Sequence, residues 1–318
     1  MTTGAQAVVD AGGAELSRIM DRVEERMCEL AGGHGPVLAR YAGDTISAGG
    51  KRLRPLLVCL AAGAPPPETD GLVRAAVAVE LVHGATLVHD DVLDGSALRR
   101  GRPTVVATGG RGAATATGDL LFSRAFAELA AGGSPASVRV LARASRELAL
   151  GELTQREDAY RLDVTVARYL ARCRLKTAVL FRAACELGAL ESGGEPDALG
   201  AFGERIGLAF QILDDVLDVT GPPERTGKPR GADLLDGTVT LPVILAREHG
   251  LEIDLRGVRT TDDAVAVCDR IADTGALEDA RCRAQELVAE AKLGLPALPL
   301  RQREALELAA DVMVERYA

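Results

Sequence analysis

The sequence predicts a single all-α domain spanning residues 1–318, and three observations carry that expectation. Helical apolar periodicity dominates the chain, no stretch of four to eight residues alternates as a strand would, and no linker-like shift in composition divides it. The composition agrees: 47% of the 318 residues are hydrophobic, yet aromatics are only 3% and there is no Trp. Such a core must be built from Ala, Leu and Val, which suits closely packed helices better than sandwiches rich in Tyr and Phe.

Ala14 to Leu30 reads as an amphipathic helix, with Leu16, Ile19, Met20, Val23 and Met27 three or four apart. Pro55 suits the first turn of the next helix, which runs through Leu56 to Leu60, and Ala64-Pro65-Pro66-Pro67 then forces a loop. Leu72 to Asp94 is a long apolar helix ending in acids, left at Gly95 to Gly101. The Gly/Ala/Thr stretch from Thr108 to Gly118 is weakly specified. Asp119–Leu129, Val138–Leu153, Val166–Leu190 and Leu199–Val219 read as further helices. Gly221-Pro222-Pro223 opens a charged loop reaching Asp236, a candidate lid. Leu241–His249 and two or three C-terminal helices finish the chain.

The net charge of −9 argues against a nucleic-acid partner, which needs a basic face, and clustered carboxylates fit metal binding better. The six cysteines (Cys28, Cys59, Cys173, Cys185, Cys268, Cys282) are far apart with no CxxC pair, so reduced and mostly packed thiols are expected. Residues 1–27 carry Asp10, Glu15, Asp21, Glu24 and Glu25 without an apolar segment, and no uninterrupted apolar run approaches 18 residues. The expectation is a cytoplasmic protein with no signal peptide and no membrane-inserted helix.

One internal repetition stands out. Asp90-Asp91-Val92-Leu93-Asp94 recurs letter for letter as Asp214-Asp215-Val216-Leu217-Asp218, each copy ending an apolar helix, while the flanks do not repeat. That is a duplication of chemistry rather than a solenoid period. One such cluster is commonly a solvated helix end. Carboxylates at i and i+4, however, lie on one helix face about 6 Å apart, so Asp90 and Asp94 can converge on the same ions. The helix dipole disfavours acids at a C-terminus, and six carboxylates brought together need compensating cations. Hard oxygen ligands point to Mg²⁺ bridging to phosphate oxygens.

Cations complement these acids. Gly49-Gly50-Lys51-Arg52-Leu53-Arg54-Pro55 places Lys51 and Arg54 beside a helix N-terminus, a ready anion site. Arg99-Arg100-Gly101-Arg102 follows the first cluster, Lys176-Thr177 sits within a helix, and Lys228 follows the second cluster. Each alone reads as a surface cation. Together with the acids they describe a site for two diphosphates, one bound through metal and one by side chains alone.

The ordered series GGKRLRP, LVHDDVLD, LRRGRPT, GDLLFSRAF, LKTAVLF and FQILDDVLDVTG-x₅-GKPRGADL, from about residue 30 to 250, resembles the motifs of the trans-isoprenyl diphosphate synthases, or polyprenyl synthetases. The resemblance implies a single isoprenoid-synthase-type helical bundle around a deep central cavity, and a homodimer. It implies that Asp90 and Asp94, with Asp91, bind two Mg²⁺ on an allylic diphosphate, and that Asp214 holds a third, supported by Asp215 and Asp218. Arg99, Lys176 and Lys228 are then expected on the allylic diphosphate. Lys51, Arg54, His83 and Arg100 are expected on isopentenyl diphosphate, with Thr177 and Gln211 at the reacting centre. A histidine on an apolar helix is more often a packed core residue than a ligand, but His83 lies two turns before Asp90 and matches the family's isopentenyl-binding histidine, which favours the ligand role. Two departures stand: Gly237-Thr238-Val239-Thr240-Leu241-Pro242 lacks the Gly-Lys common before this element, and Gly95-Ser96 follows the first cluster.

Product length depends on the cavity floor below the first cluster. Thr86 is one turn before Asp90, and Ala85 lies about 7.5 Å down the axis. In short-chain relatives a residue here is typically aromatic. The small Gly84-Ala85-Thr86 resembles long-chain synthases that make quinone side chains, so a product of C30 or longer is expected from a geranyl, farnesyl or geranylgeranyl primer. The alternative is a C20 product with a floor on a neighbouring helix, for which Phe122 and Phe126 are candidates, although packed core phenylalanines are commoner. A terpene cyclase or a non-catalytic regulatory subunit fits less well. The first lacks GGKRLRP and a second DDxxD; the second usually loses acids or bases that this chain keeps.

Overall fold

The computed structural model describes all residues except 1–2, 34, 48–51, 100, 133, 222–228 and 316–318. The all-α expectation holds. The helices are α1 (Thr3–Gly32), α2 (Gly35–Ser47), α3 (Leu53–Ala62), α4 (Asp70–Asp94), α5 (Val105–Ala131), α6 (Pro135–Asp158), α7 (Val166–Cys173), α8 (Val179–Ser192), α9 (Pro196–Thr220), α10 (Ala232–Leu235), α11 (Leu241–Glu248), α12 (Thr261–Ala272), α13 (Ala276–Leu293) and α14 (Leu300–Glu315). A π-helical turn, Arg174–Ala178, joins α7 to α8. Among the described residues the only sheet is a two-residue ribbon, β1 (Leu98–Arg99) against β2 (Arg102–Pro103), antiparallel with Arg99 opposite Arg102.

The chain divides into two compact units: residues 1–145, 180–203 and 294–312, and residues 146–179, 204–293 and 313–318. In the first unit α4 is the core helix and packs against α1, α3 and α5. Thr69 starts it by accepting from the Leu72 N–H at 3.1 Å, and Gly95, at φ 63°, ends it in the left-handed region. By length and apolar composition α4 could cross a membrane, although no single apolar run in it is long enough to have said so; two thirds of its most apolar window is buried inside the protein. Its Ala75, Ala76, Ala78 and Ala85 are fully buried, as expected of a core poor in aromatics. The small residues let backbones touch: a Cβ on Gly188 of α8 would lie against the Val58 carbonyl oxygen of α3.

The structure refines three of the sequence readings. The weakly specified 108–118 stretch is helical apart from one break at Gly110 (φ 76°, ψ 174°), a conformation glycine adopts without penalty. The predicted continuous helix 166–190 is interrupted by the π-helical turn. Of the predicted 221–236 loop, residues 222–228 lie outside the described residues, and 232–235 form α10. The C-terminal segment supplies a tie within the first unit: Gln302 of α14 donates to the carbonyls of Leu60 (3.1 Å) and Ala61 (3.0 Å) at the end of α3, where Leu60 also accepts from the Gly63 N–H.

In the second unit Asp158, with no exposed surface, anchors the chain after α6. It accepts from Arg168 Nε at 2.5 Å and Arg172 Nη1 at 3.2 Å, and Arg172 also donates to the Val239 carbonyl at 2.5 Å. Tyr160 N–H donates to the Gly237 carbonyl at 2.7 Å. The Gly237–Pro242 element is thus fastened through the main-chain carbonyls of Gly237 and Val239.

Candidate active site

The first half-site lies at the C-terminal end of α4. Asp90 is half-buried and Asp94 exposed, while Asp91 between them is buried. Asp91 Oδ1 accepts from Arg99 Nε at 2.8 Å, so the ribbon that leaves α4 folds its own cation back onto the helix. The helix end is thereby supplied with the positive charge its dipole calls for. Arg99, expected on an allylic diphosphate, here holds the cluster's second acid.

The GGKRLRP segment divides its arginines between two jobs. Arg52, which sequence reasoning passed over, is buried; it pairs with Glu24, donates to Glu80 Oε1 at 3.0 Å and caps the Ile46 carbonyl at 3.0 Å. Its backbone sits in the left-handed region at φ 49°, immediately before α3. Arg54, two residues on, is half-buried with its guanidinium 4.6 Å over the Phe181 ring, a cation–π contact that sets the direction of the side chain. Lys51, Arg100 and Lys228 lie outside the described residues. His83 is half-buried, and its carbonyl accepts from Thr86 Oγ1 at 2.8 Å.

Among the chain-length candidates the structure separates neighbours. Ala85 has no exposed surface, so it packs against protein and lines no open space, whereas Thr86 is half-buried. Phe122 stacks on His89 with ring centroids 5.8 Å apart, and both Phe122 and Phe126 keep part of their surface.

The second half-site gathers α6, α7, the π-turn and α9. A Cβ on Gly151 of α6 would lie 2.6 Å from the Lys176 amide nitrogen, so α6 runs against the widened turn at van der Waals limit. Lys176 Nζ donates to Glu152 Oε2 at 2.7 Å. Burial would raise the Glu152 carboxyl, but Lys176 and Arg156 outweigh it and hold the group below its ordinary value. The next residue, Thr177, donates through Oγ1 to Gln211 Oε1 at 2.5 Å; Gln211 Nε2 donates to Asp215 Oδ1 at 2.7 Å; Tyr169 donates to Asp215 Oδ2 at 2.6 Å. Desolvation, then the charge of Asp233, pushes the Asp215 carboxyl up to about 8 against the two donors that favour its charged form. Asp214 is exposed, and Asp218 is half-buried, its Oδ2 accepting from the Asp233 N–H at 3.2 Å.

The two DDVLD copies therefore share a pattern that their letters do not reveal: the second acid is buried and tied into protein, and the first and fifth keep surface. The all-oxygen donor set suits a hard cation. Among the described residues no three His, Cys, Asp or Glu side chains form a preassembled cage. Mg²⁺ fits such a set, because it keeps waters and takes one or two carboxylates together with substrate phosphates.

An all-α fold with helices ending in these aspartates, and with cations tied beside them, defines the class: a prenyl diphosphate synthase. Comparison with known proteins supplies the family. The Polyprenyl synthetase family pattern matches residues 36–260. The chain is 40% identical to the heptaprenyl diphosphate synthase component 2 of Geobacillus stearothermophilus, over 92% of this chain and 93% of that protein. It is 38% identical to the geranylgeranyl diphosphate synthase of Methanosarcina mazei, over 85% and 87%. A crystal structure of a polyprenyl synthase from Caulobacter crescentus, complexed with calcium and isoprenyl diphosphate, superposes with a TM-score of 0.90 at 36% identity, covering 99% of this chain and 98% of that one. The chain belongs to the polyprenyl synthetase family and is a prenyltransferase.

Proposed function

We propose that the protein condenses isopentenyl diphosphate head-to-tail with an allylic diphosphate to give an all-trans polyprenyl diphosphate of C30 or longer, acting as a cytoplasmic homodimer. The observation that carries the reading is the shared pattern of the two clusters, in which one acid is fixed by Arg99 or by Tyr169 and Gln211 while its neighbours remain presentable. Asp90, Asp94 and Asp214 would hold Mg²⁺, with Asp91, Asp215 and Asp218 in support. When bound, the metal supplies charge neutralisation for a departing diphosphate.

The chain's own residues do the remainder. Arg99, Lys176 and Lys228 stabilise negative charge on the allylic diphosphate as its carbon–oxygen bond breaks, a preorganised electrostatic effect. Lys51, Arg54, His83 and Arg100 hold isopentenyl diphosphate so that its double bond faces the allylic carbon, where orientation supplies much of the rate. As the new carbon–carbon bond forms, a proton leaves for the released diphosphate, so no side chain is required as a base. Thr177 and Gln211 border the reacting centre, and water must be excluded from it.

The length reading rests on the small, half-buried Thr86, one turn before Asp90. A C20 product is the second reading, favoured by the similarity to a geranylgeranyl diphosphate synthase. Supplying the purified chain with isopentenyl and farnesyl diphosphates and Mg²⁺, then sizing the products, decides between them. Products of C30 or longer support the first reading; a stop at C20 replaces it with the second, and no consumption of isopentenyl diphosphate removes both.

A further inference from the structure

We infer that Tyr169 is a positioning residue for the prenyl transfer: by donating to Asp215 it fixes the direction of the Asp215–Gln211–Thr177 hydrogen-bond chain. The inference rests on the functional reading above for its effect on rate, though not for its effect on geometry. Tyr169 has no exposed surface, so its hydroxyl has no water to turn to, and Asp215 Oδ2 takes it at 2.6 Å. The other oxygen, Oδ1, takes the Gln211 amide at 2.7 Å. Gln211 gives its amide nitrogen to that carboxyl, which leaves its carbonyl oxygen for the opposite side. Gln211 Oε1 is therefore turned to Thr177, and the Thr177 hydroxyl must donate to it, as it does at 2.5 Å. The hydroxyl proton is committed inward, leaving the oxygen lone pairs of Thr177 for whatever lies on its other side.

The backbone explains how two residues of one segment reach the same neighbour. In a plain α-helix residues eight apart are turned about 80° from one another. The widened π-turn at Arg174–Ala178 shifts the phase, so that Tyr169 and Thr177 both address α9, meeting Asp215 and Gln211, which are one turn apart there. Without the phenol, one buried carboxyl oxygen loses its donor, and of the two donors to Asp215 only Gln211 is left to hold it.

The test uses Tyr169→Phe, which keeps the ring that Arg172 overlies at 5.6 Å and deletes only the donor. Three readouts are taken: the Gln211 side-chain amide signals by ¹⁵N NMR, kcat and KM for isopentenyl diphosphate, and the double variant with Gln211→Ala. The expected results are displaced Gln211 amide signals, kcat lower by about tenfold with KM within about twofold, and a double variant no slower than Gln211→Ala alone. Unmoved amide signals, an unchanged kcat, or losses that multiply in the double variant would each overturn the inference. The amide readout needs no turnover, so a chain inactive with isopentenyl diphosphate sinks the functional reading while the NMR still judges Tyr169.

Discussion

Replacing Gly151 by alanine tests whether the π-helical turn is held in place by α6. In an exposed helix this change would be favourable by about 1 kcal/mol, because glycine is the poorer helix former. Here the added methyl would lie 2.6 Å from the Lys176 nitrogen and 2.8 Å from both Leu175 C and Lys176 Cα, all backbone atoms that no rotamer change can move. Restoring ordinary contact requires the two segments to part by about 0.8 Å. Overpacking of that kind costs about 1–3 kcal/mol, which cancels or outweighs the propensity gain. The shift falls on Lys176 and Thr177, and a misplacement of about 1 Å at a reacting centre can cost about a hundredfold in rate. The expected result is a melting temperature no higher than that of the parent and turnover of isopentenyl diphosphate reduced by roughly 10–100-fold. A Gly151→Ala variant that is more stable and fully active would refute the claim that the close approach positions the turn.

Further outcomes follow from other contacts. Asp90→Ala and Asp214→Ala should each abolish Mg²⁺-dependent condensation, and parental turnover by both would remove the metal assignment. Arg52→Ala should destabilise the first unit by about 3–5 kcal/mol in denaturant unfolding, because it strands the buried Glu80 carboxylate without its partner. Thr86→Phe should shorten the product, whereas Ala85→Phe should lower the melting temperature, since Ala85 has no free surface to receive a ring; the reverse assignment of effects would place the floor one residue earlier. The Glu152 carboxyl is held below its ordinary 4.5, so the stability it adds is present above about pH 4.5 and is lost as pH falls through the lowered value. The gap in melting temperature between parent and Glu152→Gln should therefore close under acid, and a gap constant from pH 7 to pH 3 would count against the pairing.

What the sequence made legible is what local spacing encodes. The apolar period of α4 and the doubled DDVLD named the helices and the acids that end them, and Pro55 marked the first turn of α3. What it concealed is which side chain turns inward, because that depends on partners distant along the chain. Nothing in LVHDDVLD says that Asp91 rather than Asp90 is buried; the cause is Arg99, returned by the β1–β2 ribbon. Nothing in RYLARCRLKT marks Tyr169, whose partner Asp215 lies 46 residues on, beyond α8. In GGKRLRP the three cations look alike, and only Glu24 and Glu80 from other helices make Arg52 structural. The π-turn was equally hidden, since an apolar period reads through one extra residue; the Gly151 approach that accompanies it is visible only in three dimensions.

The most direct trial of the account is a crystal structure of the chain with Mg²⁺, isopentenyl diphosphate and a non-hydrolysable allylic thiodiphosphate. The account predicts metal ions on Asp90, Asp94 and Asp214 gripping one allylic diphosphate, with the second diphosphate held by side chains alone. Aspartates left bare of metal beside a bound substrate, or the two clusters engaging unrelated ligands, would contradict it.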